Sequence, residues 1–175
     1  ALIPAIELSL VELNNGTFSY DDIPANIKAE AGLEFFKLEG GKLEDPFNFS
    51  GNLVPFPSTV EQGGIDFSGM VNMVKDLNFN PDGSANLQVA LDTLPLSQYA
   101  AQFGLDSLLP SGELVGRIDI NYAEMKGRLE TKDLRIANVK VGLDGQLIDI
   151  PDSALVAAAD YDYTPDRLSI SEVSL

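Results

Sequence analysis

Carboxylates are the only side chains in this sequence that are numerous enough to suggest acid–base chemistry. The 175 residues include 27 aspartates and glutamates but no histidine and no cysteine. Two pairs lie close together along the chain, Asp160 with Asp162 and Asp119 with Glu124. A catalytic carboxylate pair needs one member in a desolvating pocket that raises its pKa. Asp160 and Asp162 instead alternate with apolar residues, as on the wet face of a strand, so we predict no catalytic residue and expect that the protein is not an enzyme.

The missing residue types exclude further kinds of site. Without histidine the chain lacks the commonest general base near neutral pH and the commonest metal ligand. Without cysteine it has neither disulfides nor thiolate metal sites. The segment 78–83 is rich in oxygen atoms, but it lacks the alternating aspartates and closing glutamate of a calcium loop, and we predict a β-turn at 80–83. We therefore expect no metal and no cofactor.

The charge of the chain argues against a nucleic-acid partner. The net charge is −16, the pI is near 4.1, and the 11 lysines and arginines are scattered. Phosphate backbones require clustered cations, which are absent. The chain also has no run of about 20 apolar residues that could span a bilayer. It starts without Met and directly as a predicted strand, so we expect one β-rich domain over residues 1–175 that is a piece of a longer protein.

Alternation of apolar and polar residues dominates the chain and predicts β-strands. Each strand then has one apolar and one wet face, which is typical of antiparallel sheets. The apolar residues that we assign to one face of the sheet are Phe47, Phe49, Leu53, Ile65, Phe67, Val71, Leu87, Val89, Ile118, Ile120 and Tyr122. Small residues interrupt this face, and they leave room for either close packing or a ligand. The small residues concerned are Gly51, Gly69, Gly116, Ala157 and Ala159.

Turn and bulge signals divide the chain into strands. Residues 14–16 (Asn-Asn-Gly) predict a tight hairpin, because Asn and Gly tolerate positive φ. Further turns are predicted at 40–41, 80–83, 144–145 and 164–166. The alternation changes phase between Ile136 and Val139, and again between Ile170 and Val173, which predicts β-bulges. Bulges bend a sheet, so we expect a curved sheet.

One segment, SQYAAQFG, predicts a short helix near residues 96–104. Tyr99, Ala100 and Phe103 share one side of it, and Gly104 can end it. We expect this helix to cover apolar surface at one end of the sheet. The predicted fold is therefore a mostly-β, curved antiparallel β-sheet, either an open groove or a sandwich, with one short helix.

The region around this helix resembles a known family of β-rich repeat proteins. The relevant residues are Leu94-Pro95-Leu96, then Leu109-Pro110-Ser111-Gly112-Glu113-Leu114-Val115-Gly116, then Gly127-Arg128-Leu129 and Asp133-Leu134. This order of strand, short helix and two further strands resembles the AsmA-like and TamB-like proteins of Gram-negative envelopes. The resemblance covers about half of the chain, and a fixed-length repeat does not extend over all of it.

The resemblance implies a periplasmic protein whose full-length form is anchored in the inner membrane. It also implies an elongated, curled sheet whose apolar groove carries phospholipid acyl chains between membranes or supports outer-membrane assembly. The eleven apolar residues above would line that groove, and the partners would be phospholipid or fatty acyl chains and an envelope protein. The alternative is a structural β-sandwich or repeat module that pairs through its sheet edges with a protein partner. A carbohydrate-binding domain is less well supported, since the chain has no tryptophan.

Overall fold

The protein is mostly β with one short helix, as its alternating sequence predicts. The computed structural model describes residues 7, 9–22, 27–42, 44–55, 63–76, 78–102, 104–105, 107–162 and 167–174. The elements in chain order are β1 (Leu10–Asp22), β2 (Ile27–Glu39), β3 (Phe47–Pro55), β4 (Gly64–Lys75), β5 (Asn78–Pro95), α1 (Leu96–Gln102), β6 (Ser111–Ala123), β7 (Lys126–Leu143), β8 (Gln146–Ile150), β9 (Ser153–Ala154), β10 (Val156–Asp162) and β11 (Arg167–Ser174).

All eleven strands belong to one antiparallel sheet. Its order is β1-β2-β3-β4-β5-β6-β7-β10-β11, with β8 and β9 pairing with β7 beyond the end of β10. Consecutive strands are therefore neighbours almost throughout, as in a meander. β1 and β11 lie at opposite edges and do not pair with each other, so the sheet is open. Of the two predicted arrangements, the open curved sheet is confirmed and the sandwich is wrong.

Two of the predicted turns are confirmed. Asp144 and Gly145 connect β7 to β8 with φ values of 51° and 78°, as a two-residue hairpin with positive φ at both positions requires. Gly40 and Gly41 lie in the connection from β2 to β3. The turn predicted at 164–166 lies outside the described residues.

The other two predicted turns are wrong. Residues 14–16 lie in the middle of β1, which continues to Asp22. Residues 80–83 lie within β5, and the hairpin instead turns between Lys75 and Asn78, which pair with each other. Asn, Asp and Gly tolerate unusual backbone angles, and that tolerance serves a bend or bulge inside a strand as well as a turn between strands.

The sheet is bent along a row of residues that crosses five strands. Cross-strand pairing joins this row, which we call the crease, through Leu33, Leu53, Ile65, Leu91 and Gly116. The register shifts in β2 directly after Leu33 and in β5 directly after Leu91. It shifts again between β6 and β7 next to Gly116. Because the irregularities lie side by side, their bends add up instead of cancelling.

Residues with positive φ lie at or beside these irregularities. Thr93 in β5 and Asp133 in β7 both have φ of 52°, and Asn15 in β1 has φ of 56°. Gly116 has φ of 142°, and a Cβ there would overlap the backbone of Leu134. Away from the crease, the two bulges predicted from phase changes are confirmed: Asn138 has φ of 53°, and the register of β10 with β11 shifts around residue 171.

The hydrophobic core lies inside the bend. Leu91, Leu94 and Leu134 are buried in one cluster next to the crease, whereas most of the apolar face further away is only half-buried. The apolar face is the concave side, since Tyr99 of the helix packs on it and the helix reaches two strands that are not neighbours. The helix α1 contacts both β6 and β2. In a flat sheet these strands would be about 19 Å apart, so the sheet curves around the helix.

Candidate functional site

The apolar face forms a continuous surface across the whole sheet, which we call the trough. One row of cross-strand partners crosses all nine strands of the main path and contains only apolar residues. This row is Val11, Leu38, Phe49, Gly69, Leu87, Ile120, Leu129, Ala159 and Ile170. The adjacent row on the opposite face includes Ser50, Ser68, Gln88 and Asp119 and is mainly polar.

The structure brings all eleven predicted groove residues together on the trough. Register pairs Phe47 with Val71 and Leu53 with Ile65 on β3 and β4. It extends to Phe67 opposite Val89, and from Val89 to Ile118 on β6. The remaining members, Phe49, Leu87, Ile120 and Tyr122, lie in the parallel rows beside them. Their common face is thus established, while their role in lining a lipid groove stays a prediction.

Aromatic rings fill the space above two glycines of the trough. A Cβ at Gly51 would overlap the ring of Phe67, whose centroid lies 6.3 Å from that of Phe36 in a stacked arrangement. A Cβ at Gly69 would approach the ring of Phe49 to 2.7 Å. At these two positions the small residues therefore serve close packing and do not form ligand pockets. The result is a smooth floor.

Nothing among the described residues packs over most of this floor. A two-layer core of this size would contain side chains that are less than 2% exposed. None of the described side chains is buried so deeply. The accessible surface of the chain is 11503 Å². A compact monomer of this mass exposes about 8,300 Å². The excess fits a single bent sheet whose concave face is not covered by a second layer.

The helix covers one end of the trough, as predicted. Leu96, Tyr99 and Ala100 lie on one side of α1, and Tyr99 packs against the buried leucines at the crease. Burial raises the pKa of the Tyr99 hydroxyl. Gly112 on β6 has no side chain, so Leu96 lies close above it. Phe103, the third residue predicted for this contact, lies outside the described residues.

Two hydroxyl groups on the trough are hydrogen-bonded to the protein backbone. The Tyr122 hydroxyl donates a hydrogen bond of 2.8 Å to the carbonyl oxygen of Pro81. The Thr131 hydroxyl accepts one of 2.8 Å from the amide of Ala157. The trough therefore offers a ligand mainly apolar contacts from these positions, without directional recognition.

The outer face of the sheet carries local ion pairs. Arg128 binds Glu130 at 2.5 Å and Asp160 at 3.0 Å, which confirms that Asp160 lies at the surface. Both carboxylates raise the pKa of the Arg128 guanidinium, and the largest cause is the hydrogen bond that Arg128 donates to Glu130. This arrangement stabilises the charged forms of surface groups and does not resemble a catalytic pair.

The sequence did not predict that Asp119 is buried. Its exposure is 5%, it pairs with Lys132, and its Oδ1 atom has no hydrogen-bond partner. The hydrogen bond that Lys132 donates to Asp119 raises the pKa of the Lys132 ammonium group. Glu124, its partner in the pair considered from sequence, is exposed in the turn between β6 and β7. An alternating strand marks Asp119 only as outward-facing, and its burial and its pairing with Lys132 are tertiary features.

The described residues contain no group of three or more side chains that could hold a metal ion. The oxygen-rich segment 78–83 belongs to β5, and its residues 80–83 form a bulge in that strand. A cavity of about 360 Å³ lies beside the helix and is lined by polar groups such as Ser111, Glu113 and Asn138. These groups already form hydrogen bonds with one another. The Asn138 side-chain amide donates to Glu113 at 3.0 Å, and the Ser111 hydroxyl donates to the Asn138 carbonyl at 3.1 Å.

Comparison with known proteins does not add a family. No family model, no curated protein and no solved structure matches this chain. Within the part of the chain that the structure describes, no helix is both long and apolar enough to cross a membrane. The resemblance to AsmA-like and TamB-like proteins therefore stays a prediction.

Proposed function

We propose that this protein is a non-enzymatic module that holds lipid acyl chains on its trough. The observation that supports this best is the row of nine apolar residues that crosses the sheet on its concave, uncovered side. Large uncovered apolar surfaces on soluble proteins usually mark binding sites. An acyl chain suits this surface because it needs apolar contact and no hydrogen bonds.

The dimensions of the trough suit such a ligand. The nine strands of the main path are separated by eight spacings. At about 4.8 Å each, they span roughly 38 Å. One acyl chain occupies half of a bilayer core, or about 15 Å. The trough is thus long enough for two acyl chains in succession, and a chain can slide along it while the head group stays in water.

The resemblance described above extends this proposal to a cellular setting. We infer that the lipid is a phospholipid moving between the two membranes of a Gram-negative envelope, in the periplasm. The full-length protein would be anchored in the inner membrane and would work with an envelope protein partner or support outer-membrane assembly. The acidic net charge of −16 would keep the apolar module soluble there.

The first test is to look for lipid in the purified protein. The chain is purified without detergent, extracted with organic solvent and measured by mass spectrometry, and the delipidated protein is titrated with a fluorescent fatty acid. Co-purified lipid in stoichiometric amount is expected. A protein that emerges without lipid and also fails to bind the fluorescent fatty acid would refute the proposal.

A matched pair of variants assigns any binding to the trough. Leu87→Asp places a carboxylate on the trough between Gly69 and Ile120. Because burying that charge against an acyl chain is unfavourable, fatty-acid affinity should fall about tenfold or more. Ser68→Asp adds the same charge on the neighbouring strand but on the outer face, and should leave affinity unchanged. Equal effects of both substitutions would contradict binding on the trough.

A further inference from the structure

The edge strand β1 has the features of a strand that pairs with another strand. Among the described residues it pairs with β2 on one side only. Leu13 and Phe18 are 51% and 57% exposed, although both lie on the apolar face. Sheet edges in monomeric proteins are usually protected by charged side chains, proline, bulges or short length. β1 has 13 residues and contains neither lysine nor proline, and the irregular residue at its centre is Asn15.

The sequence of β1 is complementary to itself. In an antiparallel pair of two copies, Leu13 can lie opposite Phe18, and both of these residues lie on the apolar face. On the outer face the same register places Glu12 opposite Ser19 and Asn14 opposite Thr17. No two carboxylates then face each other. A shift by two residues in one direction would place Leu13 opposite Gly16 and lose the contact with Phe18.

The bend of the sheet selects the same register. The irregular residue Asn15 and its neighbour Gly16, which pairs with Leu33 of the crease, lie at the centre of β1. A two-fold axis between these residues, perpendicular to the sheet, brings crease onto crease and trough onto trough. Pairing at any other register would bend one copy where the other is straight.

We infer that two copies of this chain pair through their β1 strands into a two-fold dimer with a continuous sheet and trough. The partner is a second copy of the same chain, and the interface is isologous. This inference depends on strand pairing alone and holds whether or not the trough binds lipid. Each copy carries a charge of −16, so the dimer should become tighter as salt rises.

Sedimentation equilibrium over a range of protein and salt concentrations tests the inference. A monomer–dimer equilibrium is expected. Phe18→Lys should weaken it by about tenfold or more, because the substitution acts twice in a two-fold dimer. Phe79→Lys is the control, since Phe79 is 62% exposed but lies in β5, away from the edge. A monomer at every concentration and salt, or equal weakening by both variants, would overturn the inference.

Disulfide trapping tests the register and does not depend on how Phe18→Lys folds. Glu12 and Ser19 are exposed on the outer face, and the chain has no cysteine of its own. Glu12→Cys and Ser19→Cys proteins, one of them isotope-labelled, are mixed and oxidised. Facing strand residues lie within disulfide range, so the mixed dimer should form in clear excess over either homodimer. No excess of mixed dimer, or loss of dimer by Ile170→Lys at the β11 edge instead, would refute β1 pairing.

Discussion

At the scale of single residues, the trough depends on glycines that are covered by aromatic rings. Gly51 lies below the Phe67 ring, which stacks on Phe36 from a strand two positions away. Gly69 lies below Phe49 in the same way. Each glycine leaves the space of one side chain on the trough, and an aromatic ring from the neighbouring strand fills that space. Side chains of uneven size thus form an even apolar surface.

Gly51→Ala should destabilise the protein by about 1–3 kcal/mol through overpacking. The new Cβ would overlap the Phe67 ring and lie 2.9 Å from the carbonyl oxygen of Phe35, and neither can move freely. The free energy of unfolding in urea measures the effect. Adding Phe67→Leu to Gly51→Ala should recover part of the loss, because the shorter side chain vacates the site. Simple additivity of the two losses would contradict this contact.

The pH dependence of stability should appear at alkaline pH. Burial raises the pKa of Tyr99 above its ordinary value of 10.0, and the hydrogen bond to Asp119 raises that of Lys132 above 10.5. In both cases the folded state holds its proton more tightly than the unfolded state. The resulting stabilisation is complete below the ordinary pKa and is lost as pH rises through the folded-state pKa.

We therefore expect the thermal midpoint to fall as pH rises above about 10. Circular dichroism melts at a series of pH values measure it. Tyr99→Phe should flatten the alkaline fall, since that variant has no phenol to ionise. Lys132→Met should remove the contribution of the lysine but lower stability at neutral pH, because it leaves the buried Asp119 unpaired. An unchanged alkaline profile in both variants would show that other groups cause it.

At the scale of elements, the bent strands and the helix act together. The crease turns the two halves of each strand towards each other, and α1 fills the angle at one end with Leu96 and Tyr99. The helix ends at Gln102 and is closed by Gly104, whose φ is 70°. The Gly104 amide donates to Ala101 and the Leu105 amide donates to Ala100, which is a Schellman motif. This helix end redirects the chain towards β6.

Gly104→Ala should cost about 1 kcal/mol, because an L-residue is strained in the left-handed region. No atom lies within 4 Å of a Cβ built there, so the cost reflects backbone strain without a clash. A thermal midpoint lower by about 2–4 °C is expected. Ala101→Gly, in the helix but without the left-handed backbone, is a control for helix propensity. No change in Gly104→Ala would mean that the helix end contributes nothing to stability.

At the scale of the whole molecule, the described residues form one layer where most domains have two. The cluster of buried leucines lies at the bend, and most of the apolar rows beyond it are only partly buried. In such an arrangement apolar surface stays in contact with water. Covering that surface with an apolar ligand would therefore be favourable. Ligand binding should therefore be visible as stabilisation.

Fatty acid at about 100 times its dissociation constant should stabilise the protein by about 2.7 kcal/mol. For a chain of this length, that corresponds to a rise in thermal midpoint of about 5–10 °C. Differential scanning fluorimetry below the critical micelle concentration measures it, with Leu87→Asp and Ser68→Asp as the matched pair. A rise of equal size in both variants, or no rise in the parent protein, would contradict binding on the trough.

The sequence by itself determined the strands, their faces and the helix. Alternation depends only on the two-residue period of a strand, so the eleven apolar residues fell on one face without knowledge of their neighbours. The helix around Tyr99 could be predicted from the helical spacing of its apolar residues. The bulges near Asn138 and residue 171 could be predicted from changes of phase in the alternation. Carboxylates such as Asp160 were assigned to the outer face from this period alone.

Only the tertiary structure decided that the sheet is open and bent. Asn15 carries a strong turn signal, yet β1 continues past it because β2 offers a partner on both sides of the bend. Whether Gly51 leaves a pocket depended on Phe67, which is distant in sequence. The crease exists because irregular positions in separate strands fall side by side. Their alignment is a matter of cross-strand register, which couples residues far apart in the chain and leaves no mark in any local segment.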